Sequence, residues 1–184
     1  DLGLMRALKH IDEVALLATG EPGLLGSEFE ALLNEAGYSM GHFPQSIALS
    51  SVGGWVATRA AGQYSTKYGN IEDMLVAFEA VLPNGEVVRT RAVPRAAAGQ
   101  DLRHLFLGAE GTTGIITEVT YEIHPLAPST EKTAIAFPTM RDGLEALRSI
   151  MRAGWRPAVL RLYDEIEAGR AFAGAAKDGE SLLL

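Results

Sequence analysis

Two glycine-rich stretches hold the residues whose types and spacing could do chemistry: "SSVGGWVATRAAGQYSTKYGNIEDM" at 50–74 and "GAEGTTGIIT" at 108–117. Glycine lets backbone N–H groups approach an anion or a flat ring closely, and it tolerates positive φ. In the first half of the first stretch Arg59 is the only charge. Such a backbone reads either as a tight internal bend or as a chain that must come close to a ligand. Neither stretch has the spacing of a triphosphate loop or of a dinucleotide fingerprint. Arg95, in "VPRAAAG", stands beside no acid and reads equally as a solvated loop charge or an anion contact. His10, His42, His104 and His124 are scattered, and none has a partner at metal-ligand spacing, so no metal site is expected. His42 stands out because it lies four residues before Ser46. No serine sits in a nucleophile elbow, which leaves hydrolase chemistry without support.

The bulk composition narrows the field. The 184 residues carry a formal net charge of −7. A duplex-binding surface is basic, so nucleic acid is not an expected partner. No apolar run approaches the roughly 20 residues of a membrane span, and the first residues, "DLGLMRALKH", lack the apolar core of a secretory signal. The absence of cysteine excludes disulfides and thiolate ligands and fits a cytoplasmic location. The chain begins with Asp1 and ends in "GESLLL", a pattern expected of a fragment.

The elements that must position these residues are read from periodicity. "EVALLAT" (13–19) predicts a buried strand. Ser27 and Glu30 form a capping-box pair before a helix whose face is Phe29, Leu32, Leu33 and Ala36, with Gly37 as its C′ residue. Residues 38–49 read as irregular. Ser50 or Ser51 caps a short helix through Trp55 to Ala61, closed by Gly62. "MLVAFEAVLPNGEVVRTRAV" predicts a hairpin with strands 74–82 and 86–91 about Pro83-Asn84-Gly85. Asp101 caps a short helix at 102–108. In the following strand Val119, Tyr121 and Ile123 face one way, and Thr120, Glu122 and His124 the other. "PLAPSTEK" (125–132) marks a boundary. Beyond it, strand 133–137, a helix bearing Met140, Leu144, Leu147 and Met151, and strand 157–164 form a β-α-β unit too small to bury its sheet.

The stretches "EPGLLGSEFEALLNEAGYSMGHFPQS", "SSVGGWVATRAAGQYSTKYGNIEDM", "VLPNGEVV" and "VPRAAAGQDLRHLFLGAEGTTGIITEV" resemble the FAD-linked oxidases of the vanillyl-alcohol oxidase superfamily. The resemblance extends over about residues 10–165 and is strongest to the branch with alkyldihydroxyacetonephosphate synthase and D-lactate or glycolate dehydrogenases. It implies an α+β fold. Residues 1–126 would be a second FAD-binding subdomain, a mixed or antiparallel sheet with flanking helices, whose pyrophosphate-loop subdomain lies upstream. Residues 130–184 would begin a ferredoxin-like α/β cap.

The resemblance further implies non-covalent FAD. Gln45, Ser46, Ile47, Ala48, Leu49, Ser50 and Ser51 match the loop that lines the flavin, although most synthase-type relatives carry an acid where Gln45 stands. Thr58, Arg59, Ala60 and Ala61 match the adjoining contact. Glu110, Gly111, Thr112, Thr113, Gly114, Ile115 and Ile116 match the segment closing over the adenine end, with leucine usual at Thr113. Arg95 matches an arginine near the active site. The implied activity is an FAD-dependent oxidoreductase taking a hydride from a 2-hydroxy acid or alcohol. The alternatives are a synthase exchanging an acyl for an alkyl group on acylated glycerone phosphate in ether lipid synthesis, and a non-catalytic binding module. A homodimer is among the candidate partners, because the C-terminal unit leaves an apolar helix face to cover.

Overall fold

The first apolar run is broken by an acid. In the computed structural model, which describes residues 2–95, 97–172, 174 and 179–184, the Asp12 carboxylate accepts the N–H groups of Val14 and Ala15. This short-range bonding competes with a strand. The predicted strand 13–19 is therefore a turn followed by a shorter strand. Val14 is almost fully exposed, and Leu16 takes a φ of 54°. The turn joins β1 (Leu8–Asp12) to β2 (Leu17–Gly20), which pair antiparallel.

The chain divides into two compact units, Asp1–Leu126 and Ala127–Leu184. In the first, β1 and β2 are followed by α1 (Gly26–Glu35), β3 (Tyr38–Ser39), α2 (Val52–Thr58), α3 (Ser65–Tyr68), α4 (Ile71–Met74), β4 (Leu75–Val81), β5 (Val87–Arg89), α5 (Arg103–Phe106), β6 (Ile115–Glu122) and β7 (His124–Pro125). Five strands form an antiparallel sheet in the order β1-β2-β6-β4-β5; β3 pairs separately with β7. The fold class is α+β, as the sequence implies, with the sheet wholly antiparallel. The hairpin is where its turn residues place it: Val81 faces Val87, and Gly85 adopts φ 85°. Val119, Tyr121 and Ile123 are fully buried and meet Phe29, Leu33 and Trp55 in one core. Thr120 is buried on the opposite face, where its hydroxyl bonds that of Thr19 at 2.9 Å.

Helix boundaries depart from expectation where another group supplies the cap. Ser27 makes no capping box. The N–H groups of Gly26 and Ser27 are taken by the carbonyls of Ser50 and Ile47, and no side chain caps α1. Glu30, freed from that task, is buried and accepts bonds from the Ser39 hydroxyl, the Asn34 amide and the Met40 N–H. Phe29 and Leu33 point inward, whereas Leu32 is exposed. Ser51 caps α2 by accepting the Gly54 N–H, but the helix ends at Arg59 in the left-handed region, three residues before Gly62. Asp101 bonds the Arg103 N–H, one residue ahead of the α5 cap.

Tyr121 joins sheet to helix. Its ring is wholly buried and its hydroxyl donates to the Val52 carbonyl at 2.6 Å; burial raises its pKa well above the ordinary phenol value. Tyr121→Phe removes that bond from the core and should cost about 1 kcal/mol of unfolding free energy, measurable by urea denaturation.

In the second unit β8 (Ile135–Phe137), α6 (Met140–Arg152), β9 (Leu162–Tyr163), α7 (Glu165–Ala171) and β10 (Ser181–Leu183) build a three-stranded sheet in the order β8-β10-β9. The terminal "SLL" thus supplies a central strand, antiparallel to both neighbours, that the expected β-α-β unit lacked. Of the expected α6 face, Leu147 and Met151 are half-buried, but the other two are not. Met140 and Leu144 are exposed, while Gly143 is buried so closely that an added Cβ would sit 2.5 Å from a Leu162 methyl. Adjacent strand residues point to opposite faces. Leu162 meets α6, and the Tyr163 ring meets that of Phe172 edge-on at the end of α7, so each sheet face has its own helix. No helix among the described residues is long and apolar enough to cross a membrane.

Candidate functional site

The two neighbouring glycines of α2 have different reasons to be glycine. A Cβ on Gly53 would lie 2.3 Å from Pro22 Cβ, so helix and loop pack backbone to backbone there. A Cβ on Gly54 would meet only the Ser51 hydroxyl, at 3.0 Å. The sequence suggests that N–H groups here reach an anion, and the structure corrects this. The N–H groups of Val52, Gly53, Gly54 and Trp55 go to Leu24 O, Pro22 O, Ser51 Oγ and Ser51 O. The start of α2 is thus a close-approach surface whose donors are already committed.

The second glycine-rich stretch is stitched to the other end of α2. Gly108 N–H donates to Val56 O at 2.9 Å, and Glu110 N–H to Ala57 O at 3.0 Å. Arg59 Nη2 donates to Leu107 O at 3.3 Å. Arg59 and Glu110 both adopt positive φ, 51° and 47°, at this junction. Left-handed backbone is costly for such residues, and the paired carbonyls and amides hold it in place.

Between these two stretches lies a cavity of about 210 Å³. Of the predicted residues, Ser51, Gly111, Thr113, Gly114, Ile115 and Ile116 line it. Gly53 and Gly54 of the first glycine-rich stretch line it too, as do Leu2, Pro22, Ala57, Phe106 and Ala109, which were not singled out. The glycines were legible in the motif, whereas Pro22 and Leu2 carry no local signal. Gln45, Ser46, Ile47, Ala48, Leu49 and Ser50 form the neighbouring turn, and Thr58, Arg59, Ala60, Ala61, Glu110 and Thr112 flank the cavity without lining it. Small-molecule sites are commonly 300–1,000 Å³, so this space suits one portion of a dinucleotide. Its walls of glycine backbone and aliphatic side chains fit a flat ring.

Most of the hydroxyls expected at the site serve the fold. Ser50 donates to Ser46 O, Ser51 caps α2, Thr58 donates to Gly54 O, and Thr112 donates to Ala109 O. The Thr113 hydroxyl is buried with no partner among the described residues.

His42 is more unusual than its sequence context suggests. It is 1% exposed, its ring edges onto Trp55 at 4.6 Å between centroids, and neither ring nitrogen has a partner among the described residues. Burial lowers its pKa to about 4, so the ring is neutral at ordinary pH. Phe43, Tyr64, Tyr68 and His124 form a second chain of ring contacts. Arg95 lies on an exposed loop after β5. Farther along, the Arg103 guanidinium holds Asp101 down to about 2 and donates to Leu75 O, clamping α5 onto β4. Among the described residues no group of acids and histidines could hold a metal.

The FAD binding domain family matches residues 1–91. An uncharacterized FAD-linked oxidoreductase of Escherichia coli (strain K12), YgcU, is 43% identical over all of the chain, which spans 38% of that relative's length. The alkyldihydroxyacetonephosphate synthase of Caenorhabditis elegans is 38% identical over 89% of the chain and 28% of its own length. A solved alkyldihydroxyacetonephosphate synthase superposes with a TM-score of 0.86 at 33% identity, over 97% of the chain and 36% of that structure. The chain therefore spans well under half the length of the relatives it matches. Residues 1–91 match the FAD binding domain family, and FAD is the cofactor that this match and the FAD-linked relative support.

Proposed function

We propose that the chain forms one wall of a non-covalent FAD site in an oxidoreductase that takes a hydride from a 2-hydroxy acid or alcohol. The observation that carries this reading is the cavity between the start of α2 and residues 109–116, walled by glycine backbone. The 43% identity to an FAD-linked oxidoreductase over the whole chain supports it. When bound, the flavin would supply the hydride acceptor. The chain's own residues do the rest. Gly54 and Gly111 allow close approach, Ile115 and Ile116 exclude water, and the α2 to 108–110 hydrogen bonds fix the two walls relative to each other. In this reading residues 1–126 are the second FAD-binding subdomain and residues 130–184 begin the substrate-side cap.

Arg95 is assigned the substrate's anionic group, through charge-assisted hydrogen bonds of roughly 1.5–3 kcal/mol. Arg95→Ala should lower kcat/KM about tenfold or more in the protein that carries this sequence and leave its melting temperature unchanged, since Arg95 is exposed. The reaction is tested by adding 2-hydroxy acids anaerobically to the purified flavoprotein and following the flavin absorption bands. Bleaching supports the oxidoreductase reading; retention of the bands with every 2-hydroxy acid and alcohol counts against it. A second reading, the alkyl-for-acyl exchange, is favoured by the superposition at TM-score 0.86 on a synthase. Turnover of acylated glycerone phosphate with a fatty alcohol, with no net flavin reduction, would select it.

A further inference from the structure

The Ser50 hydroxyl is a junction. It accepts the indole N–H of Trp55 at 2.8 Å and donates to the Ser46 carbonyl at 2.9 Å. That carbonyl also takes the N–H groups of Leu49 and Ser50, each at 2.8 Å. Trp55 is fixed on α2 with 2% exposure, so one hydroxyl ties a rigid ring to the turn at 45–49. The start of α1 holds the same turn from the other side, through Gly26 N–H to Ser50 O at 2.9 Å and Ser27 N–H to Ile47 O at 3.1 Å. The Trp55 ring lies flush on Gly26, where an added Cβ would be 2.2 Å from Cζ2. Ser51, Gly53 and Gly54, which line the cavity, sit between the two ends of this clasp.

We propose that Ser50 and Trp55 are positioning residues whose hydrogen bond sets the turn at 45–51 and so the cavity wall against which the cofactor rests. This builds on the FAD reading above. The Ser50 O–H already donates to the Ser46 carbonyl, so it acts through the turn and not as a donor to the ligand. A wall fixed before binding loses less freedom when the ligand arrives, and affinity rises accordingly.

The test measures FAD dissociation constants, well below the melting temperature, for the protein that carries this sequence and for Ser50→Ala, Trp55→Phe, the double variant and Ser50→Thr. Trp55→Phe keeps an aromatic ring but has no N–H to give. Each single change should weaken FAD about fivefold, the worth of one hydrogen bond. The double variant should bind no more weakly than either single one, because both remove the same link. Ser50→Thr, which keeps the hydroxyl, should bind within about twofold of wild type. Melting of the cofactor-free variants shows which are folded, and Ser50→Thr against Ser50→Ala decides the matter if Trp55→Phe is not. Additive losses, or single variants that bind as wild type does, overturn the proposal alone. A wild-type protein that binds no FAD overturns the reading beneath it as well.

Discussion

Gly53→Ala should destabilise the first unit by about 1–2 kcal/mol, the overpacking cost less the helix gain of alanine, while Gly54→Ala, one residue on, should change stability by less than about 1 kcal/mol and instead weaken FAD. The difference follows from what each new methyl meets. At Gly53 it lies 2.3 Å from Pro22 Cβ and 2.8 Å from Pro22 Cα, atoms of a stiff ring and of backbone. Neither can move without breaking the Gly53 N–H bond to Pro22 O at 3.0 Å. Overpacking of this kind typically costs 1–3 kcal/mol. At Gly54 the methyl meets only the Ser51 hydroxyl, and alanine favours helix by about 1 kcal/mol over glycine. Those effects offset each other. The methyl then stands on the cavity wall, where loss of close backbone approach should weaken FAD about tenfold, or 1.4 kcal/mol. Urea denaturation and FAD titration of both variants separate the two roles. Equal stability losses at 53 and 54 would contradict the assignment.

His42 should make the fold acid-sensitive in a defined window. Its folded pKa is depressed to about 4 by burial, against 6.5 for the free side chain. Between these values the unfolded chain binds a proton that the folded chain refuses. Stability therefore rises with pH across the window: it is fully present above 6.5 and is lost as pH falls toward 4. The depression corresponds to about 3 kcal/mol, and no partner on either ring nitrogen among the described residues offsets it. His42→Leu removes the titrating group, so its unfolding free energy should fall about 3 kcal/mol less than that of wild type between pH 7 and pH 4. Parallel pH profiles for the two proteins would show that His42 is not the source. Acidic groups held down by ion pairs, such as Asp101, titrate mostly below this window and are common to both proteins.

The parts legible in the sequence were those determined by local chemistry. Pro83-Asn84-Gly85 demands a tight turn, and the hairpin forms there. Ser51 reads as a helix cap and acts as one. The parts that were not legible depend on distant partners. Ser27 and Glu30 have the spacing of a capping box, but the carbonyls of Ile47 and Ser50 take the N–H groups at the helix start and Glu30 bonds Ser39 and Met40. β1 reads "LKHID", too polar to register as a strand, because it is an edge with a water-facing side; Lys9 on it pairs with Glu118 at 2.6 Å. β10 is only three residues long, and only its two neighbours identify it as the sheet's centre. At the site, residue types indicated that backbone would approach a ligand. They could not show that Ser50, Ser51, Thr58 and Thr112 spend their hydroxyls on the fold, or that Pro22 closes the cavity from a loop 30 residues upstream of Val52.

The central claim is that the cavity between the start of α2 and residues 109–116 holds part of the cofactor. A crystal structure of the protein that carries this sequence, grown with FAD, tests it most directly. The account predicts electron density for the dinucleotide in van der Waals contact with Gly54, Gly111 and Ile116. FAD density elsewhere, with this cavity empty or filled by water alone, would contradict it.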